Sequence, residues 1–596
     1  MNKLRFSFRM RKIAGSPTRT RGEPTQPAEV GDSLLSGMSR RRAVGRIGGI
    51  VGACDPACRD RLRRALGVDA QILAGPEGAA DLVADWDCCS LADKRLLSLS
   101  DWQAAIDAGQ LGEVQGAFAI AWRTSDSKLT LARDAIGERT LYYAQTIGGL
   151  IFASSIRALL ATGLVARTLS LPAVAAYLSY AYLPGRETLV DDVYELLPGE
   201  LLEYHRGEIT RRHFWAVPDQ PRQPASEADL RDQLRRRLFE AVRTRLTAGE
   251  PVGASLSGGL DSSLVVALAC KLHAEPVHTY SVSFGAGYAN ELPYSSLVAE
   301  HCRTRHRVVE LSPAAVLRHL DETIGLLSDP IGDPLTVPNA LLFRAAAADV
   351  GVLLNGEGGD PCFGGPKNLP MLLGELYGTG GQQDQPYARA QNYLRAHLKC
   401  FDDLPHMLAD EAIAALAASP LEEQVVGRFA QASSPAFVGK LQALNVTLKG
   451  GHHILPKVDA LSMPFGVAAR APLFDRRVVE LSFAIPPQLK LRGSVEKYLL
   501  KEVARELLPT TIVDRPKSGM LVPVESWFQG PLASAARERI LDGLAPRGLF
   551  RQEYLERMLD GRLGGLRPRH GVKIWLLVTL EAWLRGVLFD TNVASE

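Results

Sequence analysis

With 596 residues the chain is long enough for two or three domains, each with a full core. Apolar residues make up 46% and charged residues 22%, as in an ordinary globular protein, and a net charge of +2 gives no global reason to expect a nucleic-acid partner. No apolar run approaches bilayer-spanning length, so no membrane partner is expected and the expected compartment is the cytoplasm. The chain opens differently: residues 1–46 carry eleven Lys or Arg against Glu23, Glu29 and Asp32, with Pro, Ser, Thr and Gly between them. Residues 1–45 are read as a basic disordered tail, or as an over-extended start with Met38 the true first residue, and they lack a signal-peptide core. The cysteines, at Cys54, Cys58, Cys88, Cys89, Cys270, Cys302, Cys362 and Cys400, have no paired zinc spacing and are read as reduced thiols.

From Ile47 the sequence turns apolar and glycine-rich, beginning IGGIVG. Alternation predicts strands at 114–123, 128–133, 140–145 and 150–154, then 3.6-residue periodicity predicts helices at 155–162 and 172–180. The result is a strand-rich layered domain over residues 46–215. A polar, Pro-containing linker leads to a second domain, residues 226–596, which opens with a basic amphipathic helix at 227–247. Its arginines are read as a solvated face.

The stretch from Pro251 to His273, PVGASLSGGLDSSLVVALACKLH, carries the chemistry. A short apolar strand breaks at Ser257-Gly258-Gly259-Leu260-Asp261-Ser262-Ser263 into a helix. Adjacent glycines let backbone N–H groups approach a phosphate, and the helix start presents free amides and its positive end. A carboxylate facing polyphosphate is repulsive unless a divalent cation lies between them, so Asp261 is assigned to Mg²⁺. Ser257, Ser262 and Ser263 supply hydroxyl donors. A serine-rich helix-capping loop is the plainer alternative.

Strands VHTYSVSF, HRVVEL and GVLLNG then alternate with helices near 291–303, from Pro313 and from Val337, the pattern of a doubly wound parallel sheet. Ligands bind such sheets at the carboxyl ends of the strands. The last strand ends in a second polar turn, Asn355-Gly356-Glu357-Gly358-Gly359-Asp360. Asp360 is assigned as a second Mg²⁺ ligand and Glu357 as the base for an attacking amine, while Gly356 and Ser281 join Gly258 and Gly259 in the ATP/pyrophosphate set. Residues 373–455 hold Lys449-Gly450-Gly451-His452-His453; the two histidines either bind substrate or face solvent, with the solvent reading preferred. The apolar stretch 570–589 is read as a helix on the second domain.

The SGGxDS turn resembles the PP-loop of ATP pyrophosphatases. Across residues 46–590 the chain resembles the asparagine synthetase B family, through Arg133-Asp134, Gly137, Leu141-Tyr142-Tyr143 and Phe152-Ala153-Ser154, through Asp329-Pro330 and Asp333-Pro334, and through Asp459, Ser462, Met463, Arg470, Pro472 and Asp475. The resemblance implies an α/β fold: an N-terminal layered αββα (Ntn-hydrolase-like) domain, then a PP-loop ATP pyrophosphatase domain with helical additions. It also implies that Lys517, in Arg515-Pro516-Lys517-Ser518-Gly519, stabilises charge as an acyl-adenylate forms.

Three departures matter. Gly48 stands where the family's N-terminal cysteine nucleophile belongs, the oxyanion Asn is missing, and Ala468 replaces a glutamate two places before Arg470. The expected activity is therefore an ATP-dependent amide-forming ligase without glutaminase activity. It would adenylate a carboxylate, with ATP and Mg²⁺ as cofactors, and use an amine on a small-molecule or peptide substrate, a plan similar to lasso-peptide cyclases and β-lactam synthetases. A precursor-peptide-binding or protease partner is expected for a peptide substrate. The alternatives are an asparagine synthetase running on free ammonia and a non-catalytic biosynthetic scaffold.

Overall fold

The computed structural model describes residues 46–589 apart from 53, 68, 74–80, 91–96, 219–224, 366–385, 433, 435, 517–520 and 565–568. The basic tail expected at 1–45 and the candidate Lys517 lie outside the described residues.

Two antiparallel-rich sheets build the first half. One has the order β2-β1-β7-β6-β8, from β1 (Ile47–Gly52), β2 (Gln71–Leu73), β6 (Tyr142–Thr146), β7 (Gly149–Ala153) and β8 (Tyr194–Glu195). The other has the order β10-β9-β5-β4-β3, from β3 (Asp81–Ser90), β4 (Gln115–Arg123), β5 (Leu129–Arg133), β9 (Glu200–His205) and β10 (Glu208–His213). Alternate residues of both sheets point into a shared core that includes Ile47, Phe152, Ala119, Leu131 and Leu202. Helix α1 (Pro56–Leu66) and helix α3 (Ile156–Ala161) cover one outer face, where Leu62, Leu66 and Ile156 join a common cluster, and α2 (Leu99–Asp107) covers the other through Trp102 against Phe118. The layering is αββα, as the resemblance implies.

The second half carries one parallel sheet of order β13-β12-β11-β14-β15, from β11 (Val252–Ser255), β12 (His278–Ser283), β13 (Arg305–Glu310), β14 (Val352–Leu354) and β15 (Ala468–Arg470). Chain order runs outward to one side from β11 and then restarts on the other side at β14. The switch point therefore lies between β11 and β14, and a crevice opens at their carboxyl ends. The basic helix predicted at 227–247 spans Glu227–Arg243, capped by Ser226, with Leu230, Leu234 and Leu238 buried. The C-terminal helix, His570–Trp583, is buried along nearly its whole length, and Tyr177 of the first half donates to the Leu576 carbonyl at 3.0 Å.

The halves are tied by charge as well as by apolar packing. Arg470 holds Asp87 through two 2.7 Å bonds, Arg139 pairs with Asp459 at 2.7 Å, and Arg133 donates to the Gly451 carbonyl at 3.0 Å. Each of these three arginines is largely shielded from water, where a charge persists only with such partners.

Candidate active site

Strand β11 ends at Ser255, and the chain turns through Gly258 before the helix Leu260–Leu272 starts. Gly258 takes φ +80°, and a Cβ there would fall 2.6 Å from the Ser295 nitrogen, so this turn needs glycine. The hydroxyls of Ser257 and Ser262 lie 3.0 Å apart, the Ser257 amide donates to Ser262 Oγ at 3.2 Å, and the Gly259 amide donates to Ser257 Oγ at 3.3 Å. Among the described residues no side chain caps the helix, so its first amides remain open to a ligand.

The second turn follows β14 and packs directly on the first: a Cβ on Gly356 would lie 2.4 Å from the Ser262 nitrogen. The crevice between them is a cavity of 270 Å³ lined by Ser257, Gly259, Asp261, Ser262, Ser281, Gly356, Glu357 and Asp360, among others. Ser281 lines it but is committed to the backbone, its hydroxyl donating to the Leu256 carbonyl at 2.5 Å. Ser263 is fully buried at the helix start, and its Oγ has no hydrogen-bond partner among the described residues.

Asp261 and Asp360 converge. Asp261 Oδ2 and Asp360 Oδ1 each lie 2.5 Å from the ammonium of Lys497, a residue only 3% exposed. Burial works against the Lys497 charge, but the two carboxylates outweigh it and hold the ammonium's pKa above its ordinary value. Lys497 lies in EKYLLKEVARELLP, and its sequence context gives no sign of this role: only the fold brings it to residues more than a hundred positions away. Arg515 donates to the Gly258 carbonyl at 2.9 Å, pairs with Glu291 and stacks 3.8 Å from the centre of the Tyr294 ring. The segment leading to Lys517 therefore starts at the edge of the PP-loop.

Glu357 is partly buried, and burial pushes its carboxyl above the ordinary range while Lys457 opposes the rise. Lys457 bonds Asp333 at 2.6 Å, and His453 lies 3.5 Å from the same carboxylate. Burial lowers the His453 pKa to about 3, so this ring is neutral at physiological pH. His452 and His453 do not face solvent as the sequence suggested. They lie in a π-helical stretch, Asn445–Ile454, where His452 meets Glu195 of the first half at 2.7 Å and His453 stacks on Tyr182 with ring centres 5.0 Å apart. Asp329, one of the residues that carry the family resemblance, is not among those lining the crevice. It accepts from the Leu189 amide at 2.9 Å and lines a small cavity between the halves, where burial pushes its carboxyl up to about 8.

The residues suit a magnesium ion shared with phosphates. Asp261 Oδ1 and Asn355 Nδ2 are buried without hydrogen-bond partners among the described residues, and both residues line the crevice. Among the described residues no group of three or more His, Cys, Asp or Glu side chains could enclose an ion. Mg²⁺ takes one or two protein carboxylates and completes its shell with water and phosphate oxygens, and Asp261 and Asp360 are the carboxylates that would serve.

At the family's nucleophile position, Gly48 lies within β1 opposite Ala153, and a Cβ there would meet Leu66 Cδ1 at 2.7 Å. The Ile47 amide donates to Ser154 Oγ at 3.1 Å, so the backbone nitrogen before Gly48 is a bonded peptide amide among the described residues.

Residues 233–585 match the family model described as asparagine synthase, more than half of the chain, and residues 102–215 match one described as glutamine amidotransferase domain. The second match begins well past Gly48. Asparagine synthetase (glutamine-hydrolyzing) 1 of Bacillus subtilis is 24% identical over 508 residues, covering 79% of this chain and 77% of its own length. A putative asparagine synthetase (glutamine-hydrolyzing) of Mycobacterium bovis is 26% identical over 513 residues, with 79% and 77% covered. Amidase chry2 of Gibberella zeae is 24% identical over 499 residues, with 72% and 73% covered.

Proposed function

From this chain's membership of the asparagine synthase family, as an ATP-dependent carbon–nitrogen ligase, we propose that it joins a substrate carboxylate to an amine carried by an organic substrate rather than to ammonia from glutamine. The observation that carries the ligase site is the convergence of Asp261 and Asp360 on one cation position, between the PP-loop and the turn after β14. The identity of Gly48 supports the second part: the position carries no thiol, and the tip of the Leu66 side chain fills the space a Cβ would take.

In this reading a substrate carboxylate oxygen attacks the α-phosphorus of ATP, the bond to the β-phosphate oxygen breaks, and pyrophosphate leaves an acyl-adenylate. The amides at the start of the helix Leu260–Leu272 and the hydroxyls of Ser257 and Ser262 hold the departing phosphates. Asp261 and Asp360 would hold Mg²⁺, which offsets phosphate charge when bound. Lys517 is assigned to the charge that develops at phosphorus. The amine nitrogen then attacks the acyl carbon and AMP departs, with Glu357 taking the amine proton. Burial already biases Glu357 toward protonation, which makes it a stronger base than an exposed glutamate.

A second cavity, of 920 Å³, supports an acceptor larger than ammonia. Its walls come from the first half, through Ile136 and Trp215, and from the helices between Leu421 and Ile454, through Arg428, Leu444 and His452. These helices lie within residues 373–455, beside the first half, where we place acceptor choice. A macrolactam, isopeptide or β-lactam-type cyclisation fits these features, and the match to a relative named as an amidase is in keeping with amide chemistry beyond asparagine.

Pyrophosphate release from Mg-ATP across a panel of amino acids, peptides and amine-bearing acids tests the proposal. We expect turnover with an organic amine, its loss in Asp261→Ala, and no glutamate from glutamine. Turnover confined to aspartate plus ammonium would establish the free-ammonia asparagine synthetase instead. No ATP turnover with any substrate would leave a scaffold.

A further inference from the structure

We propose that Lys497 selects the metal–nucleotide complex over the free metal ion, by filling the cation position between Asp261 and Asp360 until a triphosphate draws it away. The inference rests on the ligase reading of this crevice and adds an order of binding to it.

The Lys497 ammonium sits 2.5 Å from each carboxylate, which is hydrogen-bonding distance to both at once. Mg²⁺ binds oxygen at about 2.1 Å, so an ion ligated by both aspartates must take the volume that this ammonium fills. The two cations therefore compete. A free ion entering alone has to break two charge-assisted bonds and leave a lysine that is 3% exposed without its partners, a large cost.

The lysine is set in this position by its backbone. It takes φ 53°, ψ 36°, the left-handed region that a side chain ordinarily avoids, directly before the helix Tyr498–Ala504. The short hairpin Leu491–Arg492 with Val495–Glu496 precedes it, and the Lys501 amide bonds back to its carbonyl at 2.9 Å. The carboxylates that reach it are those of Asp261 and Asp360. Of the other acids that line the crevice, Glu291 is held by Arg515, Glu357 lies toward Lys457 and Asp333, and Glu496 directly precedes Lys497 in the chain, with Lys501 a second cation on the same wall.

A triphosphate changes the balance. It brings its own divalent ion for the two aspartates and presents oxygens to which the displaced ammonium can turn. The exchange then replaces one cation by another without leaving a buried charge alone. Lys497 thus acts on the proposed reaction as a specificity residue for the form in which the metal arrives.

Mn²⁺ binding to the full-length protein, read by the electron paramagnetic resonance signal of the free ion, tests this without turnover. In the absence of nucleotide we expect Lys497→Met to bind Mn²⁺ about 10-fold or more tightly than wild type, because the competing charge is gone. Lys497→Arg should stay close to wild type, and adding Asp261→Asn to Lys497→Met should erase the gain. Lys497→Gln gives the same comparison if the methionine variant does not fold. With a non-hydrolysable ATP analogue, wild type should bind Mn²⁺ tightly. Free Mn²⁺ binding to wild type as tightly as to Lys497→Met and Lys497→Gln would overturn the gate while leaving the ligase reading intact. Failure of wild type to bind Mn²⁺ even with the analogue would overturn both.

Discussion

Gly359 packs so closely on Asp261 that a Cβ built on it would fall 2.2 Å from the Asp261 Cγ. The glycine belongs to the turn after β14 and the aspartate to the turn after β11, so this contact sets how near the two turns stand. Gly359→Ala must push Asp261 aside or open the turns. We expect it to weaken binding of the metal–nucleotide complex by about 10-fold or more, since a shift of an ångström at the proposed metal ligand is felt fully. Titration calorimetry with Mg²⁺ and an ATP analogue reads this directly. Gly351→Ala, whose added methyl meets nothing within 4 Å, is the control and should bind as wild type does.

The nucleophile position of the first half leads to a second expectation. Gly48→Cys places a thiol where Leu66 Cδ1 would be 2.7 Å from its Cβ and the Phe152 carbonyl oxygen 3.3 Å away. The tip of the Leu66 side chain must turn aside, at about 1 kcal/mol, the low end for an overpacked core. The variant should melt at a lower temperature than wild type and release no glutamate from glutamine. Glutamate release at a measurable rate would show that the domain retains a glutamine pocket and that the Leu66 side chain yields to the new thiol.

The legible part of this molecule was the part whose chemistry is local. SGGLDS and NGEGGD each hold a turn, a helix or strand end and a carboxylate within a few residues, and the strand–helix alternation places both at the switch point of one parallel sheet. Lys497 was not legible: a lysine in EKYLLKEVARELLP looks like a solvated helix residue until the fold carries it between two aspartates. His452 and His453 failed for a related reason. In a π-helical stretch successive residues do not follow 3.6-residue periodicity, and burial here depends on Glu195 and Tyr182 from the other half of the chain. Asp329 shows the limit of carrying a motif over, because its neighbour Asp333 turns to the Lys457 side of the site while Asp329 turns to the seam.

Glu357 gives a pH-dependent expectation. A base must be ionised to accept the amine proton, and burial raises the pH at which Glu357 ionises. Activity should therefore fall on the acid side at a higher pH than an ordinary glutamate would give. Glu357→Gln should lower kcat by about 100-fold, the scale of general-base assistance, and remove that acid limb. Pyrophosphate–ATP exchange, which reports adenylation alone, should be far less affected. An unchanged acid limb in the glutamine variant would assign the base elsewhere.

Asp329 gives the last expectation, and its sign is opposite to that of a salt-bridged acid. Burial pushes its carboxyl up to about 8, with the Glu195 charge adding to the rise and the Leu189 amide opposing it. In the unfolded chain the same group ionises near 3.9. Below that pH both states hold the proton and Asp329 costs nothing. As pH rises from about 4 to about 8 the unfolded state gives up its proton while the folded state keeps it, so stability falls across this window and levels off above it. Asparagine has the same shape, can accept from the Leu189 amide, and has no charge to bury. Asp329→Asn should accordingly leave the melting temperature unchanged near pH 4 and raise it increasingly toward pH 8, where a shift of this size corresponds to stabilisation on the order of a few kcal/mol. Thermal denaturation of both proteins at several pH values in this range reads the difference. A variant less stable than wild type at pH 8 would mean that the ionised carboxylate is held by a partner in the seam, where Arg46 and His452 line the same cavity.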